Sequence, residues 1–243
     1  MKINLANGTF FIHKIDFDQQ CHIISQLDID GIELTFRYLE DIDSCLKENE
    51  FLKFLSRFDS NTIHSPFGKS LDIKIYKKET VDEILKKLKK IAGKINAKNI
   101  VFHPFNFEAI PLMDRINDRL FTIENTVAEN IDYLQLKDFF SRYPKLGFTL
   151  DTSHATYIGV NEFDNLFDNL KSNIKTVHLS NAWNEKQHKQ FLNNLEDNKS
   201  IERFSKIKSL NNDVILTIEE NFDDNLPNNI NKEISFIRKW IKD

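Results

Sequence analysis

Short apolar runs alternate with longer amphipathic segments along the whole chain. Eight of these runs, each four to six residues long and rich in Ile, Val, Leu, Phe and Thr, have the length and composition of β-strands. Each run is too short for an ordinary helix, so the pattern predicts eight strands. They cover residues 3–6, 31–36, 61–64, 99–103, 120–124, 147–151, 174–178 and 214–219.

The segments between the runs carry apolar residues at helical spacing. The clearest is 80–95, where Ile84, Leu88 and Ile91 fall on one face and lysines occupy the other. The lysine-rich face is expected to be exposed to solvent. Further helices are predicted near residues 17–28, 45–57, 126–141, 161–171, 200–210 and 230–241.

Strands and helices that alternate in this way predict an α/β protein. The chain has one strand and one helix for about every 30 residues, and this spacing is typical of a closed (β/α)8 TIM barrel. No linker or break in composition divides residues 1–243, so we expect a single domain. An open, doubly wound sheet with six or more strands is the alternative fold.

Composition narrows the class of protein. The 243 residues are 40% hydrophobic and 29% charged, which is enough for one sizeable core and excludes a disordered chain. No apolar run reaches 18 residues and the first residues do not resemble a secretory signal, so we expect a cytoplasmic protein with no membrane partner. A formal net charge of -4 does not favour nucleic acid as the partner.

Cysteine and glycine usage excludes several kinds of site. Cys21 and Cys45 are too few for a disulfide framework or a cysteine-based zinc site, and we expect both to be reduced. The six glycines form neither a GxGxxG motif nor a P-loop, so the loops that bind the phosphates of nucleotide cofactors are missing. We therefore expect no organic cofactor.

The strand ends carry the candidate chemistry. The carboxyl ends of parallel strands share one rim of a barrel, so residues at these ends converge. Carboxylates and imidazoles crowded there would be destabilising unless a divalent cation neutralised them. Nitrogen and oxygen ligands without thiolate favour Zn²⁺ or Mn²⁺. Six of the eight predicted strands end in such a residue, namely His64, His103, Glu124, Asp151, His178 and Glu219.

Several short motifs surround these strand ends. The most specific is Leu-Asp-Thr-Ser-His-Ala at 150–155, and it is joined by His-Ser-Pro-Phe at 64–67, Val-Phe-His-Pro at 101–104, Thr-Ile-Glu-Asn at 122–125 and His-Leu-Ser-Asn at 178–181. In this order they resemble the xylose isomerase-like TIM-barrel superfamily, which includes endonuclease IV and the sugar isomerases and epimerases. The resemblance spans nearly the whole chain.

The resemblance implies a set of metal ligands. Glu124, Asp151, His178 and Glu219 match the four ligands that the isomerases, epimerases and endonuclease share. His64 and His103 match two further zinc ligands of the endonuclease pattern. Glu219 is expected to be the ligand rather than Glu220, which we expect to face the other side of the strand.

The resemblance also implies contacts to substrate. His154 matches either a third-zinc ligand or a substrate contact, and His188 is a further candidate although Lys186 stands where the family's third-zinc site has an aspartate. Glu33, in the Gly-Ile-Glu-Leu segment, is expected to bind a substrate hydroxyl. Phe67 occupies the position of an aromatic residue that enters DNA in the endonuclease.

Three functions stay open at this point. The first is a metal-dependent isomerase or epimerase of a small sugar or related hydroxy-carbonyl compound, in which Glu124 and Glu219 exchange protons with carbon through an enediolate. The second is an endonuclease IV-like zinc phosphodiesterase at abasic sites, the one case in which DNA is the partner. The third is a barrel that binds a sugar or a partner without catalysis.

Overall fold

Eight parallel strands close into a barrel. The computed structural model describes residues 1–66, 78–103, 117–127, 132–159, 161–183, 186–189, 202–222 and 225–243. In chain order its strands are β1 (Lys2–Ala6), β2 (Gly31–Thr35), β3 (Thr62–His64), β4 (Ile100–Phe102), β5 (Phe121–Glu124), β6 (Gly147–Asp151), β7 (Ile174–Leu179), β8 (Asn181–Trp183), β9 (Lys186–Lys189) and β10 (Ile215–Ile218). Strands β1 to β7 follow one another around the barrel, and β10 closes it between β7 and β1. The predicted TIM barrel is confirmed, and the open sheet is wrong because each of the eight described barrel strands has two parallel neighbours and none of them forms an edge.

Helices connect the strands. In chain order they are α1 (Phe17–Ile24), α2 (Leu39–Cys45), α3 (Asn49–Leu55), α4 (Lys78–Ile95), α5 (Tyr133–Arg142), α6 (Thr152–Ile158), α7 (Glu162–Leu170) and α8 (Leu226–Lys242). Short 3₁₀ segments cover Asn7–His13, Lys171–Asn173 and Ser205–Ser209. Among the described helices, none combines the length and the hydropathy needed to cross a bilayer.

Local sequence explains where several helices begin. Asp16 accepts a hydrogen bond from the backbone of Gln19 at the start of α1, and the Gln19 side chain accepts one in return. Asp132 and Gln135 form the same capping box at the start of α5. These reciprocal bonds satisfy backbone N–H groups that the first turn of a helix leaves without partners.

Two helices and one pair of strands were not predicted. Helix α2 has too few apolar positions for a clear period, and the residues that α6 buries are mostly polar, so neither segment shows an apolar stripe. Strands β8 and β9 form an antiparallel pair outside the barrel, in a part of the chain without a strand pattern. Residues 128–131 and 190–201, where parts of predicted helices fall, lie outside the described residues.

A layer of threonines lines the inside of the barrel. On five strands a fully buried threonine stands two residues before an acid or an imidazole, and the aliphatic residue between them is buried on the opposite face. The Thr149 hydroxyl donates to Thr122 Oγ1 at 2.7 Å, and Asn99 Nδ2 donates to Thr176 Oγ1 at 2.8 Å. The next layer toward the rim is therefore the layer of acids and imidazoles. The threonines are Thr62, Thr122, Thr149, Thr176 and Thr217.

Close approach of β2 to the start of β3 gives a test of this packing. A Cβ added at Gly31 would lie 2.6 Å from Ser60 Oγ and 2.8 Å from the Ser60 carbonyl carbon, so backbone would have to move. We expect Gly31→Ala to lower the free energy of unfolding by about 1–3 kcal/mol, measured by denaturant titration. Gly93→Ala is the matched control because Gly93 is exposed on α4 and a Cβ added there would meet nothing within 4 Å. That variant should gain roughly 0.5–1 kcal/mol, and equal effects of the two variants would contradict the packing.

Candidate metal centre

The strand ends bring acids and imidazoles to one place at the rim. Three overlapping groups of side chains each offer donor atoms that lie within 4.8 Å of one another. The largest group, which we call the four-donor cluster, consists of Glu124, Asp151, His178 and Glu219. The second is His64, His103 and Glu124, and the third is His64, His178 and Glu219. All six residues predicted as metal ligands are therefore brought together.

Strand geometry places each of these side chains. His64, Glu124 and Asp151 are the last residues of β3, β5 and β6, and Asp151 pairs in register with His178 of β7. Glu219 follows β10 directly. Since side chains alternate along a strand, the position two residues after each threonine faces the barrel axis.

Asp151 serves two structural purposes. Its Oδ1 accepts a hydrogen bond from the backbone N–H of His154 and caps α6. Its Oδ2 is buried and points to the cluster. The Asn125 side chain fixes this strand end, because its Nδ2 donates to the Asp151 carbonyl at 2.9 Å and its Oδ1 accepts from the Asp151 N–H at 2.8 Å. The Asp-Thr-Ser-His motif therefore positions an oxygen in the cluster and begins a helix at the same residue.

Three of the imidazoles, those of His64, His154 and His178, are each held by one ring nitrogen. His64 Nδ1 lies 2.8 Å from the Ser65 carbonyl oxygen, and His154 Nδ1 lies 2.9 Å from the Asn125 carbonyl oxygen. A carbonyl only accepts, so these nitrogens carry the hydrogen. In His178 the nitrogen held in this way is Nε2, which leaves Nδ1 toward the cluster. In metal sites, a hydrogen bond from the ring nitrogen that does not bind the metal orients the imidazole in this way.

Glu124 meets imidazoles on both of its oxygens. Oε1 lies 3.2 Å from His154 Nδ1 and 3.4 Å from His178 Nδ1, while Oε2 lies 3.0 Å from His64 Nε2 and 3.5 Å from His103 Nε2. Burial favours the neutral acid, but the positive charge of His178 and the other imidazoles holds the pKa of Glu124 well below its ordinary value. The carboxylate is therefore charged and surrounded.

The pKa values of His178 and His154 shift in the opposite direction, upward. Burial alone would lower the pKa of His178, yet the carboxylates of Glu33, Glu124 and Glu219 raise it well above its ordinary value. Against the same effect of burial, Asp151 and Glu124 raise the pKa of His154 to about 10. Protons on imidazoles thus neutralise the cluster when no cation does, and a metal that binds there must displace them.

Four buried donor atoms face one another without a hydrogen bond of normal geometry to any described residue. They come one from each member of the four-donor cluster, and ion-pair contacts with His178 Nδ1 at 2.8 to 3.9 Å offset their burial. His178 Nδ1 and Glu219 Oε2 are only 2.8 Å apart and still do not form such a hydrogen bond. Three carboxylates and one imidazole form a donor set that suits a divalent cation, so these residues could hold one. The atoms are Glu124 Oε1, Asp151 Oδ2, His178 Nδ1 and Glu219 Oε2.

A cavity of about 410 Å³ opens above the cluster. Glu219 belongs to both, since it joins the four-donor cluster and its side chain is 22% exposed. Phe11 and Ile12, in the 3₁₀ segment after β1, form part of the cavity wall. This contribution was not predicted from the sequence. Phe10, the aromatic residue beside them, is fully buried in the core. The lining residues with titratable side chains are Arg37, His64, His103, His154, His188, Glu219 and Glu220.

The remaining predicted contacts fall in different places. The rings of His154 and His188 lie 5.2 Å apart in the cavity wall, and His188 belongs to none of the metal-binding groups found among the described residues. Glu33 is fully buried and is not among the described residues that line the cavity. Its carboxylate contacts His178, whereas the sequence predicted a contact with a substrate hydroxyl. Glu220 is buried beside Glu219 without joining a group. Phe67 lies outside the described residues.

Several solved structures have the same architecture as this chain, and they belong to enzymes with different activities. The 3-keto-D-glucoside 4-epimerase from E. coli superposes with a TM-score of 0.68 at 11% identity, covering 98% of this chain and 99% of that chain. The chain shares this fold. A probable 3-DHS dehydratase from Bacillus anthracis gives 0.65 at 16% identity over 98% and 99% of the two chains. Endonuclease IV from Thermus thermophilus gives 0.65 at 12% over 100% and 99%. No protein-family model matches the sequence, and no curated protein matches it significantly.

The adjacent acids Glu219 and Glu220 provide a matched test of the cluster. We expect Glu219→Gln to reduce the bound zinc or manganese per chain strongly, because it removes one charged donor of the four. Glu220→Gln makes the same chemical change one residue away and should keep the metal. Elemental analysis of protein purified without chelator measures both, and equal metal content in the two variants would contradict the proposed donor set.

Removal of the metal should lower thermal stability. A cation that binds only the folded chain stabilises it by about 2.7 kcal/mol at 100 times its Kd. In a chain of this size each kcal/mol corresponds to about 2–4 °C in Tm. We therefore expect a chelator to lower Tm by several degrees in the wild-type chain and to have no effect on Glu219→Gln. An unchanged Tm in metal-loaded wild-type protein would show that the ion binds elsewhere or weakly.

Proposed function

We propose that the chain is a divalent-metal-dependent isomerase or epimerase of a small sugar or related hydroxy-carbonyl compound. The observation that carries this proposal is the cavity of about 410 Å³ that reaches the four-donor cluster at Glu219. A cavity of this volume matches a small ligand. Glu219 connects the two, since it is both a donor of the cluster and part of the cavity lining.

The residues that would hold the cation are Glu124, Asp151, His178 and Glu219. When bound, a divalent cation would supply Lewis-acid polarisation of neighbouring substrate oxygens. The two carboxylates predicted to exchange protons differ in access, because the Glu124 side chain is 1% exposed and that of Glu219 is 22% exposed. Glu219 is therefore the carboxylate placed to take a proton from a substrate carbon.

His154 extends the reach of the buried carboxylate. Its Nδ1 lies 3.2 Å from Glu124 Oε1, and its ring also lines the cavity. A proton held on this ring can pass between Glu124 and the cavity. Removal of the proton from a hydroxyl-bearing carbon next to a carbonyl gives an enediolate. Return of a proton to the former carbonyl carbon, together with transfer of the hydroxyl proton to the former carbonyl oxygen, gives the isomer. Return of a proton to the opposite face of the original carbon gives the epimer.

The wall of the cavity suits a polar small molecule. Thr9, Thr35 and Asn221 add hydroxyl and amide groups, while Phe11 and Ile12 add apolar surface. A few polar groups on a partly apolar wall is the usual composition of a small-ligand site. The epimerase among the structural neighbours supports this choice, and the dehydratase shows that a different reaction is found on the same fold.

A second function is favoured by one specific observation. His64 and His103 form a further donor group that shares Glu124 with the four-donor cluster. Two groups joined through one carboxylate are suited to hold two ions, and paired ions activate water and stabilise a leaving oxygen in phosphodiester hydrolysis. The second candidate is therefore an endonuclease IV-like zinc phosphodiesterase at abasic sites, with DNA as partner. The formal net charge of -4 does not assist a polyanion.

Exchange of substrate hydrogen with solvent tests the first function directly. Zinc- or manganese-loaded protein, incubated in D₂O with a panel of aldoses, ketoses and keto-glycosides, should incorporate deuterium at the carbon next to the carbonyl, as seen by mass spectrometry. His154→Gln should lower this exchange about 100-fold because it removes a proton carrier outside the four-donor cluster. Its metal content should stay unchanged. His22→Gln, the same change on the exposed side of α1, should exchange as wild type.

An oligonucleotide with one abasic site separates the two functions. Cleavage beside that site, together with no deuterium uptake from any member of the panel, would overturn the isomerase and support the phosphodiesterase. His103→Gln should then abolish cleavage. If metal-loaded protein shows neither deuterium exchange nor cleavage, both enzymatic proposals are contradicted and the barrel is interpreted as a binding protein.

A further inference from the structure

Glu33 lies behind His178, on the side of its ring that faces away from the four-donor cluster. Its carboxylate meets Nε2 of that ring, whereas Nδ1 faces the cluster, and on the sheet Glu33 pairs in register with Thr62 of β3. The carboxylate is fully buried and is not among the described residues that line the cavity. A ligand confined to that cavity would therefore not contact Glu33 directly.

The carboxylate of Glu33 instead holds the far side of a donor. Its Oε2 accepts a hydrogen bond from His178 Nε2 at 3.2 Å, and its Oε1 lies 3.1 Å from the same nitrogen. The Thr62 hydroxyl donates to Oε2 at 2.9 Å and fixes the carboxylate. All three side chains are fully buried. This chain of contacts ends at His178 Nδ1, which faces the four-donor cluster.

His178 differs from the other imidazoles in the kind of group that orients it. The corresponding nitrogen of His64 meets a neutral backbone carbonyl. That of His154 lies nearest to the Asn125 carbonyl at 2.9 Å, and the carboxylate 3.2 Å from it is Glu124, a donor of the cluster itself. A carboxylate is a stronger acceptor than a carbonyl, and its charge makes the opposite ring nitrogen a better donor to a cation. His178 is also the only histidine of the four-donor cluster. Its orientation therefore decides whether that cluster is complete.

We propose that Glu33 is a positioning residue that fixes His178 with Nδ1 toward the cation and strengthens it as a ligand. The assignment rests on the proposed metal-dependent function. It replaces the substrate contact expected from the Gly-Ile-Glu-Leu segment with an action through His178. Thr62 is the residue that holds Glu33 in place.

Zinc titration of the full chain tests this role. Glu33→Gln keeps the size of the side chain and removes its charge, and we expect the Kd for Zn²⁺ to rise about 10–100-fold. Thr62→Val should change it in the same direction by less. Glu233→Gln is the matched control, because Glu233 is a buried carboxylate on α8 at 1% exposure and is not part of the groups that could hold metal. Its zinc affinity should equal that of the wild type.

The ring hydrogen of His178 provides a readout that a general loss of stability would not move. With ¹⁵N-labelled histidine, zinc-loaded wild-type protein should show a slowly exchanging, strongly downfield Nε2–H resonance. In Glu33→Gln this resonance should move upfield because an amide oxygen is the weaker acceptor. Glu233→Gln should leave it in place. If Glu33→Gln fails to fold, Thr62→Val gives the same resonance a smaller shift in the same direction.

The outcomes separate this inference from the proposed function. Wild-type zinc affinity in Glu33→Gln, or an equal loss in Glu233→Gln, overturns the role of Glu33 while the metal site stands. An unmoved Nε2–H resonance in the folded Glu33 and Thr62 variants does the same. A wild-type chain that binds no zinc overturns the metal site, and the role of Glu33 with it.

Discussion

Burial of negative charge inside a closed barrel is the constraint on which the rest of the site depends. Glu33, Glu124 and Asp151 are all fully buried, and Glu219 is close by. Charged groups without compensation in such a place would cost far more than a folded chain can supply. Imidazoles surround the acids, and protons or a divalent cation must complete the compensation. The threonine layer and the hydrogen bonds behind each imidazole hold these charges at the distances at which they offset one another.

Much of this arrangement could be predicted because it is local in sequence. A short apolar run that ends in a polar residue marks both a strand and the rim of the barrel. The same strands contain a further signal that the motifs alone did not reveal. Thr-Ile-His at 62–64, Thr-Leu-Asp at 149–151 and Thr-Val-His at 176–178 repeat one pattern with the period of a strand. That pattern identifies the inward face and places each donor one step above a threonine.

The remainder depends on relations between strands that no single segment encodes. Glu33 reaches His178 because barrel closure brings β2 and β7 around one interior although the two residues are 145 positions apart in the chain. His188 reaches the cavity through the β8 and β9 pair, where its backbone is left-handed with φ of 55° and its N–H donates to Ser153 Oγ at 2.9 Å. A strained non-glycine residue held by a distant hydroxyl has no local sequence signature.

The two candidate functions differ in how the two oxygens of Glu124 are compensated. Oε1 faces His154 and His178 on the side of the four-donor cluster, and Oε2 faces His64 and His103 on the other side. Burial lowers the pKa of His103, whereas Glu124 raises that of His64 against the effect of burial, so a proton on His64 can already neutralise the second side. One cation is then enough for the isomerase, and a second cation would have to displace that proton. The two candidate functions therefore differ in whether a second cation takes the place of the proton on His64.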